Sequence, residues 1–489
     1  MQSVEYRTAG ALALGLGGLV VAASMLMSQQ RPADAVPAFA AQTGQPCTAC
    51  HIGGFGPQLT PFGRAFKIGG YTQGGGSGWE AHMPLSGMAF ASFSNTAKSA
   101  AAGTQPHTYD TNNNFAFDQD SIFVAGRVTD HTGGFIQLTY SNVAQRTTLT
   151  GTDALGNNQY STNGVVVDNS DLRPYTTTVQ AFGNDLTLGL SVNNNPTVED
   201  PYNSTFAWGY PYAASKFGST PAAKSLLSGT FGGKVLGVTA YAWYNEHLYL
   251  EAGAYGGMSS WLGNRFGVGQ GPLNKGLMPY VRLAYEWDWG NNAAWAGATF
   301  LHATLDPGLG VGNDTYNDYA FDGGYEFLGT GKHIFTVQGI FVHEEQDLAA
   351  TASAFNTANH TAVSSGYGLN TINVNGSYWY DNTYGLTLGW QAGFGDANPV
   401  LYGPLSGASI ANGATISANS SPNYNAFTIE ADWVPFGKEK SLWRPWANLK
   451  LGVLYTLYTE FNGANSNYDG AGANASDNNT LYLFAWLAF

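Results

Sequence analysis

"LTLGLSVN", residues 186–193, alternates with period two. Leu186, Leu188, Leu190 and Val192 fall on one side of the chain, and Thr187, Gly189, Ser191 and Asn193 on the other. This is a strand with one apolar face and one polar, uncharged face. "IQLTYS" (136–141) and "FTIEADW" (427–433) repeat the pattern. A soluble sandwich alternates in the same way, so the connections decide. Short turns at 129–134, 183–185, 289–292 and 380–383 are interleaved with long polar loops at 142–170, 194–225, 257–277 and 396–423. Short turns at one end and long loops at the other are the habit of outer-membrane barrels.

Under that rule the chain divides into sixteen strands. They fall near 85–96, 115–128, 135–142, 171–182, 186–193, 226–243, 248–256, 278–288, 293–303, 316–327, 333–345, 367–379, 384–395, 424–434, 445–460 and 479–489. The expected fold is all-β: an antiparallel transmembrane barrel of about sixteen strands over 84–489, with a small N-terminal helical domain, 36–83, in its lumen. Both ends of the barrel then lie on the short-turn side, the periplasmic one.

Composition agrees. Charged residues make up 11 %, aromatics 14 %, glycines number 64, and mean hydropathy is −0.15. Soluble domains carry roughly 25 % charge, and helical membrane proteins are far more apolar. Alternation of lipid-facing apolar residues with uncharged lumenal ones satisfies both numbers. The net charge of −14 argues against a nucleic-acid partner.

The N-terminus reads as an export signal, residues 1–35. Arg7 precedes an apolar run from Ala9 to Met27, and Ala33 and Ala35 form an A-x-A cleavage site before Val36. The other reading is an uncleaved anchor helix. The expected location is the outer membrane of a Gram-negative cell.

The two cysteines of the chain, Cys47 and Cys50, stand in "QPCTACHIGG" (45–54), with His51 directly after the second. A redox dithiol calls for a βαβ context, which is missing. Zinc calls for a second ligand pair, which is also missing. Cys-x-x-Cys-His is the signature of c-type haem attachment. Thiols one helical turn apart reach both porphyrin vinyl groups, and the adjacent imidazole lies over the iron. The expectation is one covalent haem c on Cys47 and Cys50, with His51 as proximal iron ligand. Met83 in "AHMPLSG" is the best-placed sixth ligand, beside His82 and ahead of Met88 and His107. Ordinary packing of Met83 and an open iron are the alternatives.

Alternation turns Glu251, Glu286, Asp288, Glu430 and Asp432 toward the lumen, where they can attract cations or pair with Arg64 and Lys67; for any one of them a solvated polar lining is the plainer reading. Trp243, Trp287, Trp289, Trp433 and Trp446 fall near periplasmic strand ends and are expected to form an aromatic girdle. No nucleophile elbow, phosphate loop or metalloprotease helix is present.

Residues 36–71 resemble the cytochrome–porin fusion family of iron-oxidising bacteria. The likeness rests on Pro37, Phe39, Ala40, Gln42, Thr43, Gly44, the Cys47–Cys50–His51 motif, Pro57, Leu59, Phe62, Gly63, Phe66, Lys67, Gly70 and Tyr71. It extends into the barrel through "GLSVNNNPTVEDPYN" and "ADWVPFGKEKSLWRPWANLKLGVLY". Phe489, ending "LYLFAWLAF", looks like the closing residue of outer-membrane proteins, which the barrel-assembly machinery reads. The resemblance implies an outer-membrane electron conduit, an Fe(II):cytochrome c oxidoreductase. It would take electrons from extracellular Fe(II) through the haem and pass them to a periplasmic cytochrome c or blue-copper protein. Ala41 departs from the family pattern, which carries Arg there. If that Arg steadies a haem propionate, Arg64 is the substitute. A diffusion porin with a haem-bearing plug or sensor, and the same conduit run outward, are the rival readings.

Overall fold

The fold is taken from a computed structural model that describes residues 37–56, 58–100, 109–141, 143, 148–152, 158–161, 165–203, 214–407, 409, 415–438 and 447–489. The signal segment with Ala33 and Ala35, and Pro57, His107 and Trp446, lie outside the described residues.

Sixteen antiparallel strands close into a barrel. They are β1 Leu85–Thr96, β2 Asp120–Thr129 with its upper section Asn114–Phe117, β3 Thr132–Tyr140, β4 Val166–Ala181, β5 Asn184–Asn193, β6 Val235–Tyr244, β7 Leu248–Gly257 and β8 Met278–Trp289. The second half comprises β9 Asn292–Asp306, β10 Asp314–Phe327, β11 His333–Asp347, β12 Gly366–Tyr380, β13 Tyr384–Gly395, β14 Tyr424–Trp433, β15 Asn448–Glu460 and β16 Thr480–Ala488. Each strand pairs with the next, and β1 pairs with β16 from Met88↔Ala488 to Thr96↔Thr480, so the sheet has no free edge. Closure also removes the unpaired backbone groups that hydrocarbon would penalise.

The faces are inverted relative to a soluble protein. Along β8, Met278, Tyr280, Arg282, Ala284 and Glu286 are buried inside, while Val281, Leu283, Tyr285 and Trp287 are exposed outside. Apolar outside and polar inside is the arrangement that lipid selects. Trp287, Trp289 and Trp433 sit exposed at the short-turn ends, joined by Phe182, Tyr325, Phe335, Tyr380, Tyr384 and Phe489. Trp243 corrects the expected girdle. It points into the lumen, packed with Ile68, Tyr241 and Tyr249.

Two of the boundaries that differ from expectation have a visible cause. The segment read as the start of β6 is instead a short wide helical turn, Leu226–Thr230, whose amides at Leu226 and Leu227 donate to Glu344 and Asp318 at 2.7 Å each. Buried carboxylates capture backbone donors there that a strand would have paired. β2 is interrupted at Asp118 and Gln119, where Asp118 accepts from the Tyr482 hydroxyl of β16.

The N-terminal segment lies inside this wall. It carries helices α1 Pro37–Thr43, α2 Cys47–Cys50 and α3 Pro61–Ile68. Gln42 accepts from the Arg127 amide of β2 at 2.8 Å. Tyr71 donates to Asp171 of β4 at 2.7 Å, and Tyr241 of β6 donates to the Ile68 carbonyl at 2.6 Å. Ile52 and Phe55 pack with Ile334 of β11 and Trp379 of β12, and Asn448 of β15 donates to the Gly54 carbonyl at 2.9 Å. The segment within 36–83 that touches β2, β4, β6, β11, β12 and β15 is surrounded by the barrel. So short a segment has little core of its own; the lumen wall supplies it. From Pro37 onward the described chain forms one compact unit.

Candidate functional site at the short-turn end of the lumen

α2 is one helical turn, so Cys47 and Cys50 face the same way. α3 holds that turn in place. Thr60 caps α3 by accepting from the Gly63 amide at 3.2 Å, and Pro61 occupies its first position, where no amide is needed. The Thr60 amide in turn donates to the Cys50 carbonyl at 2.9 Å. Gly63 lies against Cys50 so closely that a Cβ would strike the Cys50 carbonyl oxygen. Gly63→Ala is therefore expected to destabilise the inner segment by about 1–3 kcal/mol through overpacking. Limited proteolysis between α2 and α3 should accelerate while the barrel stays folded.

Cys47, Cys50 and His51 open onto a cavity of about 220 Å³. The inner segment contributes Phe39, Ala40, Thr43, Gln45, Pro46, Gly54, Phe55 and Gly56. The barrel contributes Met88 of β1, Phe123 and Ala125 of β2, Phe135 of β3, Asn448 of β15, and Trp486 and Ala488 of β16. All of these lie near the short-turn ends of their strands. The lining is mainly apolar and aromatic, the kind of wall that suits a flat macrocycle.

His51 is half-buried, and its enclosed Nδ1 has no hydrogen-bond partner among the described residues. Burial lowers its pKa to about 4, against a smaller opposing effect of the Gly56 backbone, so the imidazole is neutral at ordinary pH. Burial, and then Cys47, push the Cys50 thiol up to about 12. Cys50 is thus not an activated thiolate of the redox-enzyme type. Two thiols, a neutral imidazole with an unsatisfied nitrogen and an apolar slot fit a c-type haem: Cys47 and Cys50 would hold it covalently and His51 would bind its iron.

Met83 does not belong to this lining. It lies half-buried between the turn at Trp79–His82 and β1, with His82 exposed, while Met88 is the methionine that reaches the cavity. The strand begins at Leu85, and alternation from there turns Met88 inward. Strand parity points to Met88, whereas proximity to Cys47, Cys50 and His51 along the chain points to Met83.

Arg64 meets one expectation, pairing with Glu286, and departs from another. It is fully engaged: Nε donates to Glu286 at 3.1 Å, Nη1 to Glu326 at 3.0 Å, and Nη1 also to the Leu59 carbonyl. Its guanidinium lies 5.0 Å from the Trp295 ring centre. It fastens the inner segment to β8 and β10 and has no donor left for a propionate. Lys67 turns to the carbonyls of Val198 and Asp200 rather than to a carboxylate of the expected set. Glu430 and Asp432 pair with Lys450 of β15, at 2.7 and 3.1 Å. Glu251 accepts from Tyr249 at 2.9 Å, and Asp288 is exposed at the turn end of β8.

Above the inner segment, toward the long loops, the chain after β5 folds into the lumen. Residues from Asn194 to Asn203 are buried, and Asp200 pairs with Arg282 at 3.0 Å. Arg282 also bonds Asp322 at 2.8 Å, and Arg173 bonds Asp171 at 2.9 Å and the Glu199 carbonyl at 2.8 Å. Leu227, Phe231, Tyr255, Met278, Tyr280 and Leu301 form an apolar cluster above them. Arg173, Arg282, Glu326 and Trp486 escaped the sequence reading, although alternation marks each as lumenal; Met88 is part of that reading, ranked behind Met83.

The architecture is porin-like. A closed barrel of this strand number, with an apolar outer belt, short turns and long loops, is what that word describes. Among solved structures, the chain is similar to the outer membrane channel DcaP of Acinetobacter baumannii, at 12 % identity and a TM-score of 0.42 over 83 % of this chain and 96 % of that one. It is similar to OmpF of Salmonella typhi at 14 % identity and a TM-score of 0.43, over 83 % and 97 %. An anion-selective porin from Comamonas acidovorans gives 9 % and 0.39, over 83 % and 99 %. No protein-family profile matches the chain, and no curated protein does.

Proposed function

We propose that this barrel is an outer-membrane electron conduit with one covalently attached haem c at its short-turn, periplasmic mouth. The observation that carries the reading is the convergence of Cys47, Cys50 and His51 on a mainly apolar cavity closed by the barrel wall. The haem supplies reversible one-electron chemistry when bound. Cys47 and Cys50 would hold it covalently, His51 would offer a ring nitrogen to its iron, and Phe39, Phe55, Phe135 and Trp486 of the lining would limit the access of water. Low polarity around the site favours the less charged, reduced state and so tunes the potential. The resemblance to iron-oxidising cytochrome–porin fusions supports extracellular Fe(II) as donor and a periplasmic cytochrome c or blue-copper protein as acceptor. With the haem at the periplasmic mouth, a soluble carrier can dock there.

A diffusion porin is the second reading, favoured by the barrel architecture. Against it stand the inner segment seated in the lumen and, above it, the inward-folded chain after β5, fixed by Asp200–Arg282 and packed near an apolar cluster on the β6–β11 wall. A conduit running outward to external acceptors has the same parts and differs in potential alone.

Detergent-solubilised protein mixed with Fe(II) at acidic pH should show its haem reduced within seconds. An oxidised haem that Fe(II) leaves untouched at favourable driving force would remove the iron-oxidation reading. Rapid sugar uptake in a liposome-swelling assay would support the porin instead.

A further inference from the structure

We infer that Met88, on the barrel wall, is the distal ligand of the haem iron, so that the coordination sphere is completed only when the inner segment is seated in the barrel. This rests on the haem reading above. The cavity has two walls. The inner segment presents Cys47, Cys50 and His51; the barrel presents residues from β15, β16, β1, β2 and β3, five strands adjacent around the circumference. Met88 stands on the middle strand of those five, paired with Ala488 on one side and Ser121 on the other. Its neighbours in the lining are Trp486, Ala488, Phe123 and Ala125, none of which carries an atom that binds haem iron. The flanking Asn448 uses its amide nitrogen on the Gly54 carbonyl and its oxygen on the Leu449 amide.

Met88 is 5 % exposed and makes its contacts inside the barrel. Among the lining residues its thioether is the one soft donor on the wall opposite the thiols and the imidazole. A thioether ligand raises haem potential, which suits a donor as weakly reducing as aqueous Fe(II). The arrangement also explains how so small an N-terminal segment can hold a six-coordinate haem: the barrel provides the sixth ligand that a free cytochrome domain takes from its own loop.

The test compares wild type, M88A, M88L, M88H and M83A as full-length, haem-loaded protein, with heat-modifiable gel migration confirming a folded barrel in each. The expected result is a methionine–iron charge-transfer band in the oxidised wild type that M88A and M88L both abolish, with conversion toward high spin and a lower potential. M88H should restore a low-spin spectrum at a potential below wild type, and M83A should leave spectrum and potential unchanged. An M88L protein with the wild-type spectrum and potential would overturn the assignment while leaving the haem reading intact. Absence of covalent haem from the wild type would defeat that reading itself, and the inference with it.

Discussion

Arg64→Met is expected to unseat the inner segment and turn a closed barrel into a conducting one. Arg64 is 1 % exposed and holds two buried carboxylates, Glu286 on β8 and Glu326 on β10. Removing one partner of a buried ion pair strands the other charge and costs about 3–5 kcal/mol. Here two like charges on neighbouring faces are stranded together, and water entering the lumen is their cheapest relief. Planar-bilayer recordings should show stepwise conductance for R64M where wild type shows little. The triple change R64M/E286Q/E326Q removes the stranded charges and should recover most of the closed behaviour, because the coupling belongs to the network. Equal conductance from wild type and R64M would show that Arg64 does not fasten the segment.

The second large effect concerns the thiols. In the C47A/C50A double variant, covalent haem should fall to zero while the barrel still assembles. Sixteen strands closed by β1 against β16 owe nothing to the cysteines, so heat-modifiable migration and membrane insertion should match wild type. Apolar surface at Phe39, Phe55 and Trp486 would then line an empty slot, and the inner segment should become more protease-sensitive. Haem retained through the purification by the double variant would contradict covalent attachment at this motif.

The barrel was legible in the sequence because lipid imposes a simple rule. A strand such as β5, with Leu186, Leu188 and Leu190 outward and Thr187, Gly189 and Ser191 inward, announces both its period and its two solvents. Turn length then fixed the count and the end at which the chain begins and closes. Limits appeared where side chains compete for backbone. Leu226–Thr230 reads as strand, yet Asp318 and Glu344, some ninety and more residues away, bind its amides and wind it into a turn. No local pattern carries that information. The site was legible as a motif and not as a pocket. Cys47, Cys50 and His51 are consecutive enough to recognise, whereas the opposite wall draws on Met88, Phe123, Phe135, Asn448 and Trp486, which only barrel closure brings together. Trp243 shows the same limit: its position near a strand end fits a girdle, and only its inward parity, shared with Tyr241, places it against Ile68.

The central claim is that the cavity holds a covalently attached haem. Mass analysis of the protease-released peptide that contains Cys47 and Cys50, from protein expressed in cells that mature c-type cytochromes, tests it most directly. A single haem mass on that peptide, bonded through both cysteines, is the predicted result; an unmodified peptide from folded, membrane-inserted barrel would contradict it.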